Sequence, residues 1–167
     1  EATSALTTKS AVALFEKFGI FTKAELQARE EIAYEGYAKN INIEAQTMID
    51  MARRQILPAV ESYATKLAET LATKKALSPL LGGKYETGLL TKLSGLTDDI
   101  AEAADALEAS LAAYHKIDDV TEAACFIRDE VLPKMDALRA PADEAARFTA
   151  AEYWPFPTYG DLLFGVK

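Results

Sequence analysis

The sequence predicts an all-α protein, and three observations carry that reading. Alanine supplies 31 of 167 residues while glycine (8) and proline (6) are sparse, a composition that favours helix over strand. Apolar residues recur three and four apart rather than in alternation, which is the period of an amphipathic helix. With 50% apolar and 26% charged residues, the chain has enough core material to fold as one domain, which excludes disorder. The expected architecture is an antiparallel up-down-up bundle of three long helices, with one or two additional N-terminal helices and an aromatic, proline-rich C-terminal tail.

Residues 1–21 should hold a short helix and a connector. Thr7 or Thr8 can cap it, Val12, Leu14, Phe15 and Phe18 give it an apolar face, and Gly19 stands where a left-handed C-cap falls. Helical sequence resumes over 22–76. Thr22 and Glu25 have the spacing of a capping box, and Phe21 and Leu26 occupy the flanking positions of a hydrophobic staple. Asn40-Ile41-Asn42 joins two cap-prone residues to a β-branched one, so a break is expected at 40–42. Beyond it a stripe runs through Ala45, Met48, Ala52, Ile56, Ala59, Tyr63, Leu67 and Leu71, a seam that faces other helices. Residues 77–85 read as a loop, because Pro79 lacks a donor and the Gly82-Gly83 pair raises the entropic cost of helix.

The helix over 86–115 carries the cleanest stripe: Leu89, Leu93, Leu96, Ile100, Ala104, Leu107, Leu111 and Tyr114. Gly95 sits inside it and costs about 1 kcal/mol relative to alanine, which marks the point most prone to break. Asp119 with Glu122 opens the last long helix, 119–151, along Val120, Ala124, Ile127, Val131, Met135, Leu138, Ala142 and Ala145. After it the character changes: 152–167 is rich in aromatics and proline, and Asp161–Phe164 can form one last turn. Two segments, Arg53–Pro58 and Arg128–Pro133, share the pattern R-x-x-[IV]-L-P. Each proline lies inside a stripe that continues past it, so a kink is expected rather than a stop, with the carbonyls of Arg54 and Asp129 losing their usual donors. In an up-down-up arrangement those two helices are parallel, which would set the bends side by side.

Charge and side-chain inventory exclude several functions. Eighteen basic against 26 acidic residues leave a net charge of −8 and a pI near 4.8, a field that repels nucleic-acid phosphates and anionic membrane surfaces. One cysteine and one histidine can make neither an internal disulfide nor a zinc site. No apolar run is long enough to span a bilayer, the expected address is cytoplasmic, and Glu1 reads as a cut through something longer. No phosphate-binding loop is present, and Gly82-Gly83 follows no strand. Asp98-Asp99 and Asp118-Asp119 are adjacent pairs whose side chains diverge by about 100° on a helix, so neither converges on one ion. Glu102, Asp105 and Glu108 do share a face, but no Glu-x-x-His accompanies them. His115 reads as the cation that complements a helix C-terminus, and Cys125 as a buried structural thiol.

No catalytic, cofactor-binding or metal residue is therefore assigned. Two binding candidates remain. Arg53 and Arg54, beside Met51 and Ile56, form a candidate anion contact, although arginines so placed more often anchor ion pairs. Trp154, Phe156, Tyr159, Leu162, Leu163 and Phe164 concentrate apolar surface that no helix of their own can bury, so this tail must dock, either back on the bundle or against another subunit or domain.

Four stretches then point to a family: Leu14–Leu26 (LFEKFGIFTKAEL), Lys39–Ala45 (KNINIEA), Met51–Ala59 (MARRQILPA) and Ala151–Phe164 (AEYWPFPTYGDLLF). Together they closely resemble the C-terminal region of type III glutamine synthetases, the long bacterial form of that enzyme. The resemblance spans essentially the whole chain and departs from the family at Arg29–Ile32 and Ala140-Pro141. It implies a parent ligase that joins glutamate to ammonia at the expense of ATP, with a divalent metal, Mg or Mn, held in a catalytic core upstream. None of that core's residues maps onto positions here. What it implies for this chain is a non-catalytic helical addition to a ring-shaped homo-oligomer, in contact with the catalytic domain and neighbouring subunits, with a structural, assembly or regulatory role. The alternative is a regulatory module that senses an anionic metabolite at Arg53 and Arg54.

Overall fold

The computed structural model describes residues 2–157 and 159–165, without the side chain of Tyr159. It is all-α, 83% helical and without a strand among the described residues. A 3₁₀ turn, Thr3–Thr7, precedes seven helices: α1 (Lys9–Lys17), α2 (Lys23–Met51), α3 (Leu57–Leu77), α4 (Lys84–Tyr114), α5 (Val120–Phe126), α6 (Leu132–Phe148) and α7 (Tyr159–Phe164). The chain divides into two compact units, Glu1–Gln46 with Ala109–Pro133 and Thr47–Glu108 with Lys134–Lys167, so the division falls inside α2, inside α4 and just after Pro133.

Local chemistry explains the helix ends in the first unit. The Thr8 side chain caps α1 by accepting from the Ala11 N–H. At the other end Gly19 takes a φ of 64°, its N–H reaching the Glu16 carbonyl while that of Ile20 reaches Phe15. Those two bonds make a Schellman cap, which needs a residue without a Cβ at that position. The next helix starts on a reciprocal capping box: Thr22 N–H donates to Glu25 Oε2 at 2.7 Å and Glu25 N–H to Thr22 Oγ1 at 3.3 Å. Leu26 is fully buried beside it, and Phe21 lies against Phe15 with ring centroids 5.7 Å apart. The bonds to the carboxylate hold Glu25 below the usual carboxylate range, the Thr22 N–H contributing most.

No break occurs at 40–42: α2 runs through Asn40–Asn42. Asparagine favours caps over helix interiors, but Ala38 and Ala45 are buried and Ile41 half-buried on one face, and such burial outweighs a few tenths of a kcal/mol of propensity. Likewise α4 passes Gly95 without interruption, held by Leu93, Leu96 and Ile100, all buried.

In the second unit α3 and α4 run antiparallel. The Lys74 ammonium donates to the Glu86 carboxylate next to the loop, while Arg53 reaches Asp105 and Glu108 far along α4. Helix α6 also opposes α4, since Lys92 near the start of α4 pairs with Glu144 near the end of α6 at 2.6 Å and lies 3.9 Å over the Phe148 ring. Leu93, Leu96, Ile100, Ala104 and Leu107 of α4 are buried, as are Met135, Leu138, Ala142 and Ala145 of α6.

Both R-x-x-[IV]-L-P segments contain a π turn, Ala52–Ile56 and Ile127–Val131. The residue before each proline bonds five back rather than four: Leu57 N–H to the Ala52 carbonyl and Leu132 N–H to that of Ile127. The helix thus accommodates a missing donor by widening one turn, as π bulges do. The stripe along α3 differs in part from the predicted one. Val60 and Ala64 are buried and Ala59 and Tyr63 only half-buried, so the inward face just past the turn stands one position on from the predicted stripe, which Leu67 rejoins.

Candidate functional site

The C-terminal tail divides in two. Past α6, the N–H of Tyr153 bonds the Ala150 carbonyl, and that of Trp154 bonds those of Ala150 and Ala151, closing a tight turn after the helix. Tyr153 then packs on Tyr63 of α3 with centroids 5.4 Å apart, and Trp154 meets Phe156 edge to face at 6.0 Å. Burial holds the Tyr63 phenol protonated above its ordinary range, with a further contribution from the Tyr85 phenol. Trp154 and Phe156 are half-buried, whereas Leu162, Leu163 and Phe164 on α7 are 68%, 74% and 80% exposed. Thus the first half of the tail lies on its own unit and the second half presents three large apolar side chains to solvent. The side chain of Tyr159, the remaining candidate, lies outside the described residues.

The two arginine candidates have carboxylate partners. One Arg53 amino group donates to Asp105 Oδ1 and Glu108 Oε2, each at 2.7 Å, which keeps the guanidinium more firmly protonated and draws Glu108 below the usual carboxylate range. Arg54 pairs with Asp50 one turn back at 3.2 Å. An anion would have to displace or share these carboxylates, a costlier arrangement than binding an unpaired guanidinium.

Other side chains singled out from the sequence are placed as follows. Cys125 is exposed rather than buried, on a groove with Tyr34, Tyr37 and Arg128. It sits one position past Ala124, and on α5 that step of about 100° turns it away from the inward face. His115 follows the end of α4, its ring against Tyr114 at 5.1 Å. Asp119 caps α5 by accepting from Glu122 N–H at 2.8 Å. Among the described residues no three His, Cys, Asp or Glu side chains gather where an ion could be held, and no helix is long and apolar enough to cross a membrane. Sequence reasoning missed the exposed residues around the α3–α4 loop: Leu77 at the end of α3, Leu80 and Leu81 in the loop, and Tyr85 at the start of α4. The signal was present, as four large apolar residues in a segment read as a loop.

Residues 1–75 match the family model described as the glutamine synthetase C-terminal domain. Similarity to synthetases extends beyond them. The chain is 33% identical over 154 residues to a glutamine synthetase of Butyrivibrio fibrisolvens, covering 92% of this chain and 22% of that protein. A type-3 glutamine synthetase of Dictyostelium discoideum is 25% identical over 171 aligned positions, covering 98% of this chain and 23% of its own. A glutamine synthetase of Bacteroides fragilis (strain YCH46) is 30% identical over 152 residues, covering 87% and 20% respectively. The chain spans about a fifth of the length of these relatives. The resemblance to the C-terminal domain of type III glutamine synthetase is therefore found by comparison as well as in the motifs.

Proposed function

We propose that this chain is the non-catalytic C-terminal helical domain of an ATP-dependent glutamate–ammonia ligase, with a role in assembly of the enzyme. Its partners are then the catalytic part of the same polypeptide and neighbouring subunits of a homo-oligomer in the cytoplasm. ATP and a divalent metal, Mg or Mn, belong to the catalytic part of that enzyme. The observation that carries the assembly role is the outward display of Leu162, Leu163 and Phe164 beside a tail segment already seated on its own unit. Contiguous apolar surface of that kind is ordinarily covered by a partner.

The test is a full-length synthetase truncated before Trp154. A smaller native mass, by light scattering, with the truncated subunit still folded is the expected result, and an intact oligomer with unchanged activity overturns the role of the tail. The sensing alternative makes a separate prediction, heat of binding when glutamine, glutamate or a nucleotide is titrated into this chain. With Arg53 held by two carboxylates, the expected result is silence.

A further inference from the structure

The α3–α4 loop and a trough between α4 and α6 belong to the same unit and are opposite in form and charge. Leu80 stands 95% exposed at the loop tip, with Leu77, Leu81 and Tyr85 also exposed around it. Lys75 and Lys84 flank the tip, both exposed and neither in an ion pair among the described residues. The trough has a floor of small side chains, Ala103 and Ala106 from α4 with Ala137 and Ala140 from α6. Its rim carries Asp99, Glu102 and Glu144. Glu144 is taken by Lys92, but Asp99 and Glu102 are exposed and make no ion pair among the described residues.

An apolar tip between two free cations fits a shallow small-residue groove edged by two free carboxylates. The tip cannot reach the groove of its own chain. Ala103 lies 19 residues along α4 from Lys84, about 28 Å at 1.5 Å per residue, and the helix between them is unbroken. The occupant that supplies both the apolar knob and the matching charge is a second copy of this chain.

We propose that the α3–α4 tip of one copy seats in the α4–α6 trough of the next, a head-to-tail contact between unlike surfaces. This deepens the assembly role and rests on it. A loop tip in a trough buries less than the roughly 1,200 Å² of a stable interface, so isolated copies associate weakly and the contact gains strength where other contacts already hold subunits together.

Sedimentation of this chain from about 10 µM to about 1 mM at low salt, the range in which weak contacts show, tests it. The expected result is a mass that grows with concentration and falls back on adding salt. Leu80→Asp and Glu102→Lys each weaken that growth at least tenfold, and unchanged circular dichroism shows that these exposed positions leave the fold intact. Mixed one to one, the two variants restore a dimer and nothing longer, because one brings an intact trough and the other an intact tip. A wild-type monomer at the highest concentration, association untouched by both variants, or a mixture without dimers overturns the contact. None of these bears on the truncated synthetase, whose native mass decides the assembly role separately.

Discussion

Single side chains in this chain show which physical terms a helix tolerates. Ser110 is buried with a hydroxyl that finds no partner among the described residues. Ser110→Ala removes an unsatisfied group and nothing else, so it should stabilise the chain by roughly 1 kcal/mol. A lower urea midpoint for that variant would show that the hydroxyl is bonded after all. Gly95 makes the complementary case. A Cβ built there meets nothing within 4 Å, so Gly95→Ala should raise stability by about 1 kcal/mol, seen as a higher thermal midpoint. Cys125 shows how finely burial depends on phase: one position separates it from buried Ala124. A periodic pattern read from sequence resolves a face but not its edge, so it does not decide on which side of that edge the thiol falls.

Whole elements were legible where the determining chemistry is local. The capping box at Thr22 and Glu25, the glycine cap at Gly19 and the Asp119 cap all depend on residues within five positions of one another, and each forms as its spacing dictates. The stripe of α4 was equally legible, since a regular helix of 31 residues keeps its phase. Along α3 the phase slipped. The R-x-x-[IV]-L-P pattern announces a missing donor, but whether the helix answers with a kink or a π turn depends on which face the surrounding packing rewards, and that is not written in the motif. The consequence can be measured. Val60→Ala should cost on the order of 2 kcal/mol because its side chain is fully enclosed. Leu77→Ala, on the same helix but exposed, should change stability by less than about 0.5 kcal/mol. Equal effects in chemical denaturation would mean that Val60 does not lie on the inward face of α3. The candidate binding residues were legible only as residue types. Four large apolar side chains in and beside a loop and three in a short terminal helix announce surface to be covered, but their exposure depends on what the rest of their unit leaves unburied.

Across the molecule, electrostatics predict how the fold responds to acid. Glu25, Glu86, Glu108, Asp129 and Glu144 all sit below the usual carboxylate range. In four of them the leading cause is a hydrogen bond from a basic side chain: Lys74 to Glu86, Arg53 to Glu108, Arg128 to Asp129 and Lys92 to Glu144. Each group therefore binds a proton more readily unfolded than folded. Stability from these groups is fully present above the ordinary carboxylate pKa of about 4.3 and is lost as pH falls through the lower folded values. The expected result is a urea midpoint that is flat from about pH 7 to about pH 5 and drops steadily below that. Most of these carboxylates are exposed, so salt should shrink the drop. Glu86 is the exception, almost wholly covered next to Lys74 at the base of the α3–α4 loop. Glu86→Gln removes one of the titrating groups and leaves Lys74 without its anion, so the variant should be less stable at pH 7 and lose less on acidification. A midpoint that falls with acid as steeply in the variant as in the wild type would show that this pair does not bind the ends of α3 and α4 together.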